Sequence, residues 1–339
     1  MPVPTFFVSK KAANYSPVAA PLDLETQAAH SLHLAKSGIT GLVVLGSTGE
    51  AVHLTNKERF DVLSSIRKAY DEGGYKDYPI IAGTAAQNIE EVVEQLKTAK
   101  EAGSQWGLCL VPGYFAGACT QEGIIQWFTA VADQSPIPVM VYVNTAFTPV
   151  SHPCISTQVD TFSYHYPGVS NNVKVIPSTF ATLSRHPNIV GCKLSHGDVS
   201  YHAQIGANPK IDHTKFHTFT GLGQQLLPVI SLGCAGTIDG TAGFFPKSVV
   251  HLYKLSVKNQ PTDEEVKERR LLQYKVSSVE ELVVKYGTVG IKEAISRILG
   301  MGDVDGTRLP LVGGIPGGVR EWGNWKEVIE DLETAEKSL

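Results

Sequence analysis

The chain of 339 residues contains no apolar run approaching the roughly 18 residues that a membrane-crossing helix requires. It has no surplus of positive charge either: 29 Lys and Arg stand against 33 Asp and Glu, a formal net charge of −4. That balance excludes a basic face for nucleic acid and a polybasic patch for an anionic membrane. Cysteine is sparse and unpatterned. Cys109, Cys119, Cys154, Cys192 and Cys234 are scattered, without a CxxC or a Cys/His ligand spacing. Neither a disulfide framework nor a metal site is expected, no cofactor is implied, and the thiols suit a cytosol-like compartment. The opening MPVPTFFVSKK has no basic segment leading into a long apolar core, so it does not read as a secretory signal. It is also not Arg-rich and amphipathic. A cytoplasmic location is expected, with the mitochondrion left open. Low-complexity blocks are missing, and no GxGxxG follows the first apolar run.

What is present is a rhythm. Short apolar runs recur at residues 3–8, 41–46, 78–84, 106–112, 138–142, 189–194, 216–221 and 236–239. They are nearly continuous in Val, Ile, Leu and Phe, as strands buried on both faces are. Helices are predicted between them over 23–37, 56–73, 89–102, 121–134, 177–186, 198–207 and 223–232. Thr55 stands three residues before Glu58, a capping-box spacing. Asn88 precedes a first turn with two acids, and Gly38, Gly73 and Gly103 follow the first three helices. Alternation repeated eight times predicts a parallel sheet with helical crossovers. The count, together with the missing GxGxxG, favours a closed (β/α)8 TIM barrel over an open doubly wound sheet. A helix-rich tail follows over 246–257, 262–285, 289–299 and 322–338. The expected fold class is therefore α/β: a barrel over residues 1–245 and an appended helical extension over 246–339. Residues 9–21 and 143–163 break the rhythm; the second segment is polar and has neither period.

In such a barrel the site lies at the carboxyl ends of the strands. After the second run comes Gly46-Ser47-Thr48-Gly49-Glu50. Its backbone N–H groups and two hydroxyls can receive a carboxylate or phosphate; a glycine turn with hydroxyl caps is the structural alternative. The sixth run carries Lys193 between Cys192 and Leu194. Burying a lysine as a cation is costly, and desolvation favours the neutral amine, which can form a Schiff base with a carbonyl. Pairing with a buried acid is the alternative. Tyr142 ends the fifth run, where a phenol can relay protons or simply rim the barrel. His196 and Asp198 follow the lysine and are read chiefly as helix caps. Gly221, Gly223 and Gln224 are expected to line the pocket, and Thr237 to bind substrate. Asp239 is either a partner for a buried group or a polar wall. Trp106 and Trp127 read as packing residues.

Together, Gly46-Ser47-Thr48-Gly49-Glu50, Pro112-Gly113-Tyr114, the Tyr-x-x-Pro-Gly element beginning at Tyr164, and Gly191-Cys192-Lys193 resemble the dihydrodipicolinate synthase / N-acetylneuraminate lyase family. These are class I, pyruvate-handling Schiff-base aldolases on a (β/α)8 barrel, and the resemblance runs from about residue 3 to residue 299. It implies Lys193 as the Schiff-base lysine and a tyrosine, linked to Thr48, as proton relay. It implies Ser47 and Thr48 as carboxylate binders and relay members. Tyr114 resembles the family's second tyrosine, often lent across a dimer interface. The implied partners are a small-molecule 2-oxo acid and further copies of the chain, as a dimer or tetramer.

Two departures refine the expectation. The family's Tyr-Asn-x-Pro-Gly-Arg-Thr appears here as Tyr164-His165-Tyr166-Pro167-Gly168-Val169-Ser170. The arginine that holds the second substrate's carboxylate in the synthases is thus Val169, which argues against aspartate semialdehyde. Lys193 is followed by Leu194-Ser195-His196-Gly197-Asp198, unlike the bacterial pattern. Both features resemble the fungal branch near 4-hydroxy-2-oxoglutarate aldolase and 2-keto-3-deoxy-L-galactonate aldolase. The expected reaction is retro-aldol cleavage of a 4-hydroxy-2-oxo acid to pyruvate or glyoxylate and an aldehyde. A synthase-type condensation and a non-catalytic 2-oxo-acid-binding relative are the alternatives. The second departure is spacing. Lys193 lies 51 positions after Tyr142 and 29 after Tyr164, and the family spacing resembles the shorter gap. About 22 residues near 143–163 therefore read as an insertion, either a retained intron or a lid. The relay tyrosine is Tyr142 or Tyr164, with strand continuity favouring Tyr142. Residues 9–21 read as a smaller insertion.

Overall fold

The computed structural model describes residues 1–144 and 169–339. Seven parallel strands pair in sequential order: β1 (Leu42–Val44), β2 (Ile80–Thr84), β3 (Trp106–Leu110), β4 (Val139–Asn144), β5 (Ile189–Ser195), β6 (His217–Thr220) and β7 (Gly236–Thr237). Between and after them lie α1 (Leu24–Lys36), α2 (Asn56–Glu72), α3 (Ile89–Glu101), α4 (Gln121–Gln134), α5 (Pro177–Leu183), α6 (Val199–Gly206), α7 (Leu226–Ile230) and α8 (Pro246–Ser256). The sheet curls into the α/β barrel that the alternation predicts. Alternation along each strand sorts side chains into two cores. Met140 and Tyr142 point inward with Val43, Leu108, Leu110 and Ile238. Val139, Val141 and Val143 point outward to meet Phe128 and Phe180 under the helices. Each such fully buried side chain contributes about 1.5–3 kcal/mol of transfer free energy.

The strand predicted over residues 3–8 is not formed as such. The segment lies beside β1 through one parallel bridge, Pro2 with Val43, and a bond from the Val3 N–H to the Val43 carbonyl at 3.0 Å. Pro2 and Pro4 carry no N–H, so a continuous ladder there lacks donors. The fifth predicted run, by contrast, extends two residues further than its apolar pattern, to Asn144. The polar residue stays in register because it pairs with Ser195 across β5.

In the tail, helices predicted over 262–285 and 289–299 form one long element, α9 (Asp263–Leu299), opened by the Thr262–Glu265 capping box. Gly287 interrupts it with φ 55° and ψ −138°, a conformation essentially restricted to glycine. The predicted separation is thus a kink, with both arms helical. The last predicted helix is two, α10 (Gly318–Asn324) and α11 (Lys326–Ser338). α9 packs against α8, α11 and the turns that follow β6 and β7, so the extension lies across the carboxyl end of the sheet.

Gly287→Ala should lower unfolding free energy by about 1–3 kcal/mol, because the added Cβ cannot adopt this backbone without strain. Equilibrium denaturant unfolding measures it; an unchanged midpoint would contradict the strained-kink reading.

Candidate active site

β4 and β5 pair in parallel with Tyr142 directly opposite Lys193 and Asn144 opposite Ser195. Inward side chains of neighbouring parallel strands at matched positions lie side by side. The Lys193 amino group accordingly sits 4.4 Å from the centroid of the Tyr142 ring. Lys193 is only 5% exposed and Tyr142 only 3%. Among the described residues no carboxylate lies within ion-pairing distance of the Lys193 nitrogen, so the structural alternative raised from sequence, a lysine neutralised by a buried acid, has no partner to draw on. Gly191, two residues earlier on the same face, carries β5 close to β6: a Cβ there would stand 2.3 Å from the His217 carbonyl oxygen.

Ser47 comes in from the turn after β1. Its hydroxyl and the Tyr142 phenol are hydrogen-bonded at 3.1 Å, and the Asn144 amide donates to the same phenol oxygen at 2.9 Å. The sequence reading joined the tyrosine to Thr48; Ser47 holds it instead, because the turn presents that hydroxyl to the barrel axis. Thr48 lines the same cavity one residue on. The turn is tight. Gly49 and Glu50 donate backbone N–H groups to the Gly46 and Ser47 carbonyls at 3.0 and 3.1 Å, and a Cβ on Gly49 would meet the Leu45 backbone nitrogen at 3.0 Å. Lys193, Tyr142, Ser47 and Thr48 open together on a cavity of about 560 Å³, enough for a small organic acid. A smaller cavity of about 120 Å³, lined by His251, Glu268 and Lys275, lies on the outside of the extension and meets none of these groups.

The electrostatics follow from burial. Burial alone pushes the Tyr142 phenol up, but the Lys193 charge beside it and the hydrogen bonds from Ser47 and Asn144 outweigh that and hold it below the ordinary phenol value. His196, on the cavity wall, is pushed down to about 4 by burial and by His202, so its ring is neutral near pH 7. Asp239 and Glu280 form a buried acid pair. Asp239 accepts from the Ala242 N–H at 3.1 Å, Glu280 accepts from the Thr241 N–H at 3.2 Å, and one oxygen of each carboxyl has no partner. Burial, reinforced by Asp239, pushes Glu280 up to about 8, and burial raises Asp239 as well.

Other sequence-predicted residues fall as follows. Asp198 caps α6, accepting from the Tyr201 N–H at 2.9 Å, whereas His196 lines the cavity. Gly221 and Gln224 line it too; Gly223 instead lies against Asp239 and Glu280. Thr237 turns its hydroxyl to the Thr220 carbonyl at 3.4 Å, and it does not line the cavity. Tyr114 is 77% exposed, stacked edge-on with the 72% exposed Phe115, and also lies away from it. Trp127 packs edge-on against Phe128. Val169 packs against the barrel interior cluster. Tyr164 and the unpatterned segment from residue 145 lie outside the described residues. Sequence reasoning missed Asn144, Glu280, Lys285 and Thr288. Asn144 had a signal, since it shares a strand face with Tyr142 two residues away. The other three sit on α9, and no local pattern says that this helix reaches the barrel mouth.

Two titrations test this arrangement. Lys193→Met should move the Tyr142 phenol up, since burial then acts against fewer opposing effects. Phenolate absorbance, with Tyr142→Phe subtracted, reads the shift; no upward movement would contradict the contact. Glu280 binds its proton more tightly folded than unfolded, so it makes stability fall as pH rises from the ordinary glutamate value of 4.5 to about 8. Glu280→Gln should flatten that decline in denaturant midpoints; an equally steep decline would exclude Glu280 as its source.

Comparison with known proteins agrees with this geometry. The model of the dihydrodipicolinate synthetase family matches residues 15–155 and 152–313, two stretches that meet inside the unpatterned segment. A protein of Emericella nidulans named as a mitochondrial 4-hydroxy-2-oxoglutarate aldolase is 33% identical over 281 residues, covering 83% of this chain and 81% of that one. The L-threo-3-deoxy-hexylosonate aldolase of Hypocrea jecorina is 30% identical over 319 residues, 91% of this chain and 92% of its own. Among solved structures, a dihydrodipicolinate synthase family protein from Coccidioides immitis superposes with a TM-score of 0.76 at 28% identity, covering 100% of this chain and 96% of that one. With a family model matching most of its length, an α/β barrel and a buried lysine at the mouth of that barrel, the chain belongs to the dihydrodipicolinate synthetase family.

Proposed function

We propose that the protein is a lysine Schiff-base aldolase that cleaves, or in reverse forms, a 4-hydroxy-2-oxo acid of the hydroxyoxoglutarate or 2-keto-3-deoxy sugar acid type. Pyruvate is the usual keto component. One observation carries this reading: a buried lysine with no acid partner among the described residues touches a tyrosine that is itself hydrogen-bonded to the hydroxyl turn after β1. The relatives named as aldolases support it. A condensation of the synthase type has a 30% identical relative from Exiguobacterium in its favour, but Val169 offers an incoming carboxylate no charge.

The chemistry follows from the positions. The Lys193 amine, in its neutral form, adds to the C2 ketone, and loss of water leaves a protonated imine. Ser47, Thr48 and the backbone N–H groups of their turn hold the substrate carboxylate, which orients C2 towards the nitrogen. Tyr142, as phenolate, takes the proton from the C4 hydroxyl. The C3–C4 bond breaks, its electrons pass into the imine to give an enamine, and the aldehyde leaves. Protonation at C3 and hydrolysis of the imine release the 2-oxo acid and restore the amine. Ser47 and Asn144 stabilise the phenolate between steps.

In this reading residues 1–245 carry the chemistry, and residues 246–339 close the barrel mouth. Asn144 and Ser170 are hydrogen-bonded to each other, so the chain leaves and rejoins the barrel at neighbouring points, which supports treating about 22 residues near 143–163 as an insertion ahead of the Tyr164–Ser170 element. The exposed Tyr114–Phe115 pair is the face we assign to self-association as a dimer or tetramer. The four described cysteines are free thiols, in keeping with a reducing compartment such as the cytosol. Two fungal relatives are named as mitochondrial proteins.

Borohydride added with pyruvate should trap a covalent adduct on Lys193, located by peptide mass. Tyr142→Phe should slow turnover by about 10²–10⁴-fold. A panel containing hydroxyoxoglutarate and deoxyhexonates, read by pyruvate release, identifies the substrate. A folded protein that yields no adduct would remove the proposal.

A further inference from the structure

The carboxylate turn is anchored from outside the barrel. Glu50 closes that turn in a left-handed conformation, φ 51° and ψ 36°, and only 3% of it is exposed. One of its carboxylate oxygens is ion-paired with Lys292 of α9, which is 3% exposed. The other accepts from the Arg308 backbone N–H at 3.2 Å and faces the His53 ring at 3.0 Å. Lys292 and Arg308 lie 4.5 and 4.6 Å from the centroid of the Phe7 ring, so two cations share one aromatic residue. The Arg308 side chain continues to the Ala20 and His53 carbonyls and to Glu58.

A second tie runs parallel to the first. Thr288, one turn before Lys292 on α9, donates to the Ser47 carbonyl at 3.3 Å, and Ile291 between them lines the cavity. Residues 288, 291 and 292 lie on one helix face, and that face meets the turn because Gly287 redirects the helix just before it. None of this network touches the Lys193 nitrogen. It touches the backbone and the closing residue of the segment that carries Ser47 and Thr48.

We infer that Lys292 of the C-terminal extension is a positioning residue for substrate binding: its buried pair with Glu50, seconded by Thr288, fixes the turn whose hydroxyls and N–H groups receive the 2-oxo acid carboxylate. This rests on the Schiff-base reading of the site. A loosened turn costs oriented binding of the carboxylate, while the amine stays on β5 and the phenol stays on β4 with its bond from Asn144. The loss therefore falls on substrate affinity and spares the capacity to form the imine.

The test needs only pyruvate. Borohydride trapping over a pyruvate series gives the half-saturating concentration and the adduct yield at saturation for the full-length chain. Lys292→Met leaves the buried Glu50 carboxylate without its lysine cation, a strongly destabilising change. Glu50→Gln combined with Lys292→Met removes both charges and provides the folded comparison. In the double variant the half-saturating concentration should rise on the order of 10-fold, with the yield at saturation unchanged. Lys292→Arg, which keeps the charge, should recover most of the affinity. Leu332→Ala, a buried cavity in α11 away from the turn, should lower the melting temperature without moving the half-saturating concentration. An unchanged value in the folded double variant would overturn the inference, as would an equal rise in Leu332→Ala. Absence of any adduct in the unsubstituted protein would remove the Schiff-base reading first, and the inference with it.

Discussion

An amino group held inside a barrel with an aromatic face against it, and with no carboxylate beside it among the described residues, is the constraint around which the structure is arranged. Parallel pairing of β4 with β5 puts Tyr142 and Lys193 at the same level, so their contact is a consequence of register. The phenol then needs partners of its own, and Ser47 and Asn144 supply them from the turn after β1 and from the same strand. Lys193, Tyr142 and Asn144 are held by strands that the barrel already fixes, and Ser47 by a turn tied to the extension. That is the condition for a group to act without reorganising when charge develops.

The C-terminal extension belongs to the same machinery. α9 bends at Gly287, contributes Glu280, Lys285 and Thr288 to the cavity wall, and sends Lys292 into a buried pair with Glu50. Buried charges of this kind are poor sources of stability, since desolvation cancels most of the attraction. Their value here lies in geometry: Glu50 sits in a conformation an L-residue rarely adopts, at the end of a turn with no slack. Glu280, on the same helix, makes the opposite compromise: buried beside Asp239, it is pushed up to about 8 and keeps its proton near neutral pH.

Much of this was legible in the residues. Continuous apolar runs alternating with capped helices specified the barrel, because each side of a buried parallel strand must be apolar. Lys193 stood out as a charge within such a run, and the paired hydroxyls between glycines marked the turn. The first strand failed because periodicity does not count donors, and Pro2 and Pro4 remove them. The choice between Ser47 and Thr48 as the phenol's partner depends on how the turn rotates, which adjacent hydroxyls do not reveal. Thr237 has the right strand but turns its hydroxyl to a neighbouring carbonyl. Glu50, Thr288 and Lys292 were illegible as a group because their contacts join residues more than 240 positions apart.

The most direct measurement is a crystal structure of the protein soaked with pyruvate. The account predicts continuous electron density from the Lys193 nitrogen to the pyruvate C2, with the carboxylate against the Ser47–Thr48 turn and the Tyr142 oxygen facing the reacting carbons. Pyruvate bound elsewhere, or a Lys193 side chain turned away to a carboxylate with the cavity empty, would contradict it.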